Sequence, residues 1–213
     1  MAAADLPEAE QLAAALALEK VPAGFVFHPN EGRADKATQA RIPDGPPVPV
    51  SHVVNRFLAT HPAYAVGRSD WALVIQPKAH TMCGDALNSV LPDSIITEPA
   101  YVAFWKLAQA VNPADTPKAA PAVVCGGGNC NSAESPAHRA RVAVTLRGTT
   151  LQEALSNLVA QSPGLVWTLR EKRRGQQDPV AATEAVCQFG YFDGDQYVQT
   201  SYVFGKTPTP RRH

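Results

Sequence analysis

The sequence has no excess of either charge. Nineteen Lys and Arg stand against nineteen Asp and Glu, and charged residues make up only 18% of the chain. Phosphate binding needs Lys and Arg in excess on one face, so this balance argues against nucleic acid as the main partner. Long apolar runs are also missing: none approaches the roughly 18–20 residues of a membrane-spanning helix. The six histidines are scattered (His28, His52, His61, His80, His138 and His213), no two within four residues of each other, so no metal site is read from them. There is no G-x-S-x-G, H-E-x-x-H, Walker A or G-x-G-x-x-G step, and no cofactor is inferred. At the N-terminus no basic segment precedes an apolar core. The start MAAADLPE is acidic early on and reads as a Met placed on a mature chain whose secretory signal has been removed.

What is present is a good supply of core-forming residues. Hydrophobic residues make up 45% of 213, enough for one large or two small domains. Apolar spacing predicts a helix over 7–20 and a strand through Val21, Phe25 and Phe27. Residues 30–47 are polar and rich in Gly and Pro, and read as a loop. Ser51 is a candidate N-cap for a helix with Val53, Val54, Phe57 and Leu58 on its buried stripe, ended by His61-Pro62. Tyr64 and Val66, then Trp71, Leu73 and Ile75, alternate across a polar Gly-Arg-Ser-Asp turn, the pattern of a β-hairpin.

After a connector the order seen in the first half returns. A helix runs from Glu98 to Val111, a short strand follows at APAVVCGGG, and 126–138 form a second polar loop. Val142, Val144 and Leu146 then mark a strand, and Thr150 with Glu153 forms a capping box before LQEALSNLVAQ. LVWTLREK is a further strand, and a last hairpin turns at Asp193-Gly194. Asp193 and Asp195 lack the further oxygen ligands of a Ca²⁺ loop. Shifting the first half by 101 residues lays Val54 on Leu155, Phe57 on Leu158 and Pro62 on Pro163. A recurring pattern of this kind implies two copies of one folding unit.

The steps Val142, Val144, Leu146, Gly148, Thr150, Leu151, Glu153, Ala154, Leu155, Leu158, Gly164, Leu165 and Trp167 carry a family likeness. The segment 98–172 resembles the short N-terminal domain shared by secretins and TonB-dependent receptors. The first half resembles it less, since it has no G-x-T-L-x-E-A-L step. The resemblance implies a compact βαβ-type unit of the bacterial envelope that contacts partner proteins rather than a catalyst. It implies no pore or receptor activity, because no pore-forming region, barrel or plug is present.

The expected fold is therefore α+β: two small tandem βαββ-type modules with helices on short mixed or antiparallel sheets, and a C-terminal hairpin. The first module takes 1–78, a connector 79–97, the second module 98–205, and a disordered tail 206–213. The expected function is a non-enzymatic periplasmic or extracellular interaction module that binds an envelope protein or peptide, by strand addition at a free sheet edge. Two alternatives stay open: a thiol/disulfide or metal-dependent envelope enzyme using Cys125 and Cys130, and a structural spacer of a larger assembly. Four cysteines suit disulfides in an oxidising compartment. The Gly-rich CGGGNC step favours a loop bridge Cys125–Cys130, with Cys83–Cys187 as a second bridge, although connectivity is not encoded in spacing. Two features could meet a partner. They are the hairpin aromatics Tyr191, Phe192, Tyr197 and Tyr202, for which capping the core is the first reading and a peptide-binding edge the second, and the basic run containing Arg170, Arg173 and Arg174.

Overall fold

The computed structural model of the chain describes residues 8–27, 49–111, 140–173, 185–194 and 196–204. Its elements are α1 (Glu8–Leu18), β1 (Ala23–Phe27), α2 (Val50–Thr60), β2 (Tyr64–Arg68), β3 (Leu73–Pro77), α3 (Met82–Leu87) and β4 (Ser94–Pro99). They continue with α4 (Ala100–Val111), β5 (Arg141–Leu146), α5 (Leu151–Ala160), β6 (Leu165–Arg173), β7 (Ala185–Asp193) and β8 (Gln196–Phe204). The fold is mixed α+β.

Six strands form one sheet in the order β2-β3-β1-β6-β7-β8, and β4 and β5 form a separate antiparallel pair. β1 lies inside the large sheet, parallel to β3 on one side and to β6 on the other. The β2–β3 and β6–β7–β8 pairings are antiparallel. This corrects the expectation of a separate sheet for each module. β1 from the first half supplies a central strand to which β6 from the second half is bonded, Phe25 standing beside Thr168 and Phe27 beside Arg170.

Burial on both faces explains why β1 reads as an almost unbroken apolar run, as expected of an interior parallel strand. Phe25 and Phe27 face α1 and α2, where they meet Phe57, Tyr64, Leu12 and Leu16. Val26, between them, faces the opposite core with Val74, Leu165, Trp167 and Leu169. That second core is roofed by α3, α4 and α5, and beyond them by the inner face of β4–β5, which contributes Ile96, Val142, Val144 and Leu146. The molecule thus stacks helices, sheet, helices and a two-stranded sheet. Burying each large apolar side chain contributes roughly 1.5–3 kcal/mol.

Local signals account for most element ends. α1 is alanine-rich, so its backbone can approach the sheet closely, and Ala9, Ala13, Ala14 and Ala17 are all buried. It closes with Lys20 at φ 55°, Val21 N–H donating to Leu16 O and Lys20 N–H to Ala17 O, the pattern of a left-handed C-terminal cap. The Thr150–Glu153 capping box forms as expected. Leu151, Leu155, Leu158 and Val159 are buried on one stripe of α5. Gly24 lies beside Trp167 in the β1–β6 register, and a Cβ there would overlap the indole.

Several expected boundaries change. Pro49, not Ser51, occupies the N-cap position of α2. The connector 79–97 holds α3 and most of β4, and Glu98 and Pro99 belong to β4, so α4 starts at Ala100. The expected strand at APAVVCGGG, the loops over 30–47 and 126–138 and the tail 206–213 lie outside the described residues.

Candidate functional site

The expected partner surface is largely core. Tyr191 and Phe192 are successive residues of β7 and point to opposite faces of the sheet. Tyr191 stacks on Phe104 of α4, with ring centroids 5.1 Å apart. Phe192 packs on Tyr197 under α1, with centroids 5.0 Å apart. Both are buried because helices cover both faces, so neither presents to a partner. Arg170 is also buried. Its guanidinium pairs with the buried Glu10 of α1 and lies 4.5 Å from the centre of the Phe27 ring. Tyr197 is partly buried beside the same pair. Burial pushes its phenol above the usual 10.0, the Arg170 charge and the Thr168 hydroxyl work the other way, and the Glu10 charge adds to the rise. Arg173 and Tyr202 lie on β6 and β8, but their side chains fall outside the described residues, as does Arg174 altogether.

Of the cysteines, Cys83 on α3 and Cys187 on β7 form a buried disulfide, with Cα atoms 5.4 Å apart and 104 residues between them in sequence. Cys125 and Cys130 lie outside the described residues. Among the described residues, no group of three or more His, Cys, Asp or Glu is placed to hold a metal ion. No helix there is long and apolar enough to cross a membrane.

A second candidate surface is the two-stranded sheet of β4 and β5. β4 pairs with β5 from Ser94↔Leu146 to Pro99↔Arg141, with Thr97 opposite Ala143 and Ile95 opposite Thr145. The Gln161 side chain, just past α5, takes both backbone groups of Ala143: Ala143 N–H donates to its Oε1 and its Nε2 donates to Ala143 O, each at 2.9 Å. The amide thus fills the place a neighbouring strand would occupy, and it blunts the outer edge of β5. It also sets the phase of the ladder. If Ala143 bonds outward, Thr97↔Ala143 is a non-hydrogen-bonded pair, and so is Ile95↔Thr145. The N–H and C=O groups of Ile95 and Thr97 therefore point away from β5, to the side of β4 on which no described strand pairs. Among the described residues β4 has no strand neighbour other than β5.

The side chains on this ribbon divide by face. Ile96, Val142, Val144 and Leu146 are buried against α4 and α5. Ile95, Thr97, Arg141, Ala143 and Thr145 face outward and are exposed. Ile95 is 73% exposed, the most exposed large apolar side chain among the described residues. Glu98, at the end of β4, is neutralised by Lys106 of α4 at 2.6 Å. An open edge with an exposed β-branched residue is the arrangement that strand addition requires, main-chain bonds giving affinity and alternate side chains giving choice. The signal for this strand was present in the connector as the β-branched run Ile95-Ile96-Thr97.

No protein-family model, curated protein sequence or solved structure matches the chain.

Proposed function

We propose that this chain is a non-enzymatic protein-interaction module of the bacterial cell envelope, in which β4 accepts an extended segment of a partner protein as a third strand beside β5. The single observation that carries this reading is the outward-facing main chain of Ile95 and Thr97, beside a neighbouring edge that Gln161 already fills. Each backbone bond formed by an added strand contributes roughly 0.5–1.5 kcal/mol net, so the two N–H and two C=O groups supply modest affinity, with Ile95 adding apolar contact. The envelope assignment rests on the resemblance of 98–172 to the secretin and TonB-receptor N-terminal domain. The Cys83–Cys187 bridge supports an oxidising compartment.

The test compares wild type with Thr97→Pro, which removes one outward N–H and places a proline ring on the edge. Wild type is expected to enrich a defined protein from an envelope extract, and the variant to lose it. In that complex the Ile95 and Thr97 amides should exchange hydrogen slowly, and in the free chain quickly. Equal capture by both proteins defeats the reading. So does concentration-dependent protection of these amides in the purified chain alone, which would assign the edge to a second copy.

A further inference from the structure

The turn joining β2 to β3 displays Trp71 at 53% exposure. The turn is firmly held. Trp71 N–H and Ala72 N–H both donate to Ser69 Oγ, at 3.3 and 3.0 Å, and Ser69 N–H donates to Ala72 O at 3.0 Å. The indole is therefore presented on an ordered loop and does not hang from a frayed end. Beside it lies a depression of about 510 Å³, between this turn and the start of α5. That volume falls within the roughly 300–1,000 Å³ of small-molecule sites. Its polar lining comes from separate elements: Arg68 and Asp70 on the hairpin, Arg147 after β5, and Gln152 and Asn157 on α5.

We infer that this depression binds a neutral saccharide, with Trp71 as the stacking platform. The argument is one of matched chemistry. The C–H faces of a pyranose ring are apolar and weakly positive, and an exposed indole face is apolar and weakly negative. Sugar hydroxyls need donors and acceptors side by side. Here Arg68, Arg147 and the Gln152 amide donate, while Asp70 and the Gln152 carbonyl oxygen accept. Arg68 and Arg147 both line the depression, and no described residue forms an ion pair with either. The formal charge of the lining is balanced. Arg68 and Arg147 stand against Asp70 and Glu153, which favours an uncharged ligand over a phosphate or a nucleic acid. Glu153 itself is committed, accepting from Thr150 N at 2.8 Å and Thr150 Oγ1 at 2.9 Å. The site is separate from the β4 edge and does not rest on the strand-addition reading.

The test is a nuclear magnetic resonance titration that follows the three indole N–H signals, with chitotetraose, maltotetraose and tetragalacturonate as probes. Trp167 is fully buried and Trp105 half-buried, so Trp71 is the indole open to a ligand. A neutral tetramer is expected to shift the Trp71 signal saturably. Trp71→Ala should weaken binding at least about tenfold without changing the melting temperature, and Trp71→Tyr should restore part of it. Asp70→Asn should weaken binding with the platform intact. The inference is overturned if no probe moves the Trp71 signal at millimolar concentration, if Trp71→Ala binds as well as wild type, or if only tetragalacturonate binds.

Discussion

Breaking the Cys83–Cys187 bridge should cost a large share of the stability of this fold. The bridge ties α3 to β7 and closes a loop of 104 residues. In the chain-entropy treatment a loop of that length removes about 16 cal/mol/K from the unfolded chain, or about 4.7 kcal/mol at 25 °C. Residual structure in the unfolded chain lowers the measured figure, so a loss of roughly 2–5 kcal/mol is expected. Both cysteines are fully buried in the apolar core with Leu87 and Phe189, so the reduced thiols would remain as small buried hydrophobes and no polar group would be stranded. The native contacts survive and the loss falls on the unfolded side of the equilibrium. Against a typical total of about 5–15 kcal/mol the effect is large. The assay is urea unfolding followed by the buried Trp167, comparing wild type with the Cys83→Ala/Cys187→Ala double variant. With a slope of about 2 kcal/mol/M the midpoint should fall by roughly 1–2.5 M, and the slope should rise because the unlinked unfolded chain is less compact. A fall of less than about 0.5 M would refute the reasoning.

Gly24→Ala drives a methyl group into the Trp167 indole across the β1–β6 register and should cost about 1–3 kcal/mol, read as a lowered melting temperature that Trp167→Leu partly restores. Glu10→Ala leaves Arg170 buried without its carboxylate and should cost about 3–5 kcal/mol, whereas the apolar pair Glu10→Leu/Arg170→Met should cost much less; paired denaturation curves decide. Thr150→Ala removes the hydroxyl half of the α5 capping box and should cost about 1 kcal/mol by thermal melting. The backbone N–H and hydroxyl of Thr150 hold the Glu153 carboxyl below its usual 4.5. Its contribution is therefore fully present above that value and is lost as pH falls through the lower folded value. Melting temperatures of wild type and Glu153→Gln should converge on acidification, and curves that stay parallel below pH 4.5 would contradict this.

Short-range chemistry was readable from the chain. Thr150 and Glu153 announce a helix start because a cap involves groups three residues apart. The Gly194 turn at φ 60° and the hairpins at 64–77 and 185–204 follow from turn residues between alternating apolar runs. The α+β class follows from the same alternation of helical and strand periods. The helix-then-hairpin order seen in both halves is real as an order: α2 precedes β2–β3 and α5 precedes β6–β7. The candidate site was the least legible part. A strand pattern does not say which of its two faces is covered, and here helices cover both faces of β7, which sends Tyr191 one way and Phe192 the other, both inward.

What the sequence alone determined is therefore local: most of the helices and strands, the α5 cap, the hairpin turns and which stripe of a helix is apolar, but not α3, β4 or the start of α2 and α4. Only the tertiary structure decided that β1 pairs with β6 in one shared sheet, that Glu10 meets Arg170 across 160 residues, and that Gln161 seals β5 while β4 pairs with no described strand but β5. The reason is physical. Caps, turns and periodicity depend on groups a few residues apart, whose geometry the covalent chain dictates. Strand order and edge protection depend on which distant surfaces bury the most apolar area together, and residues scattered along the whole chain settle that jointly.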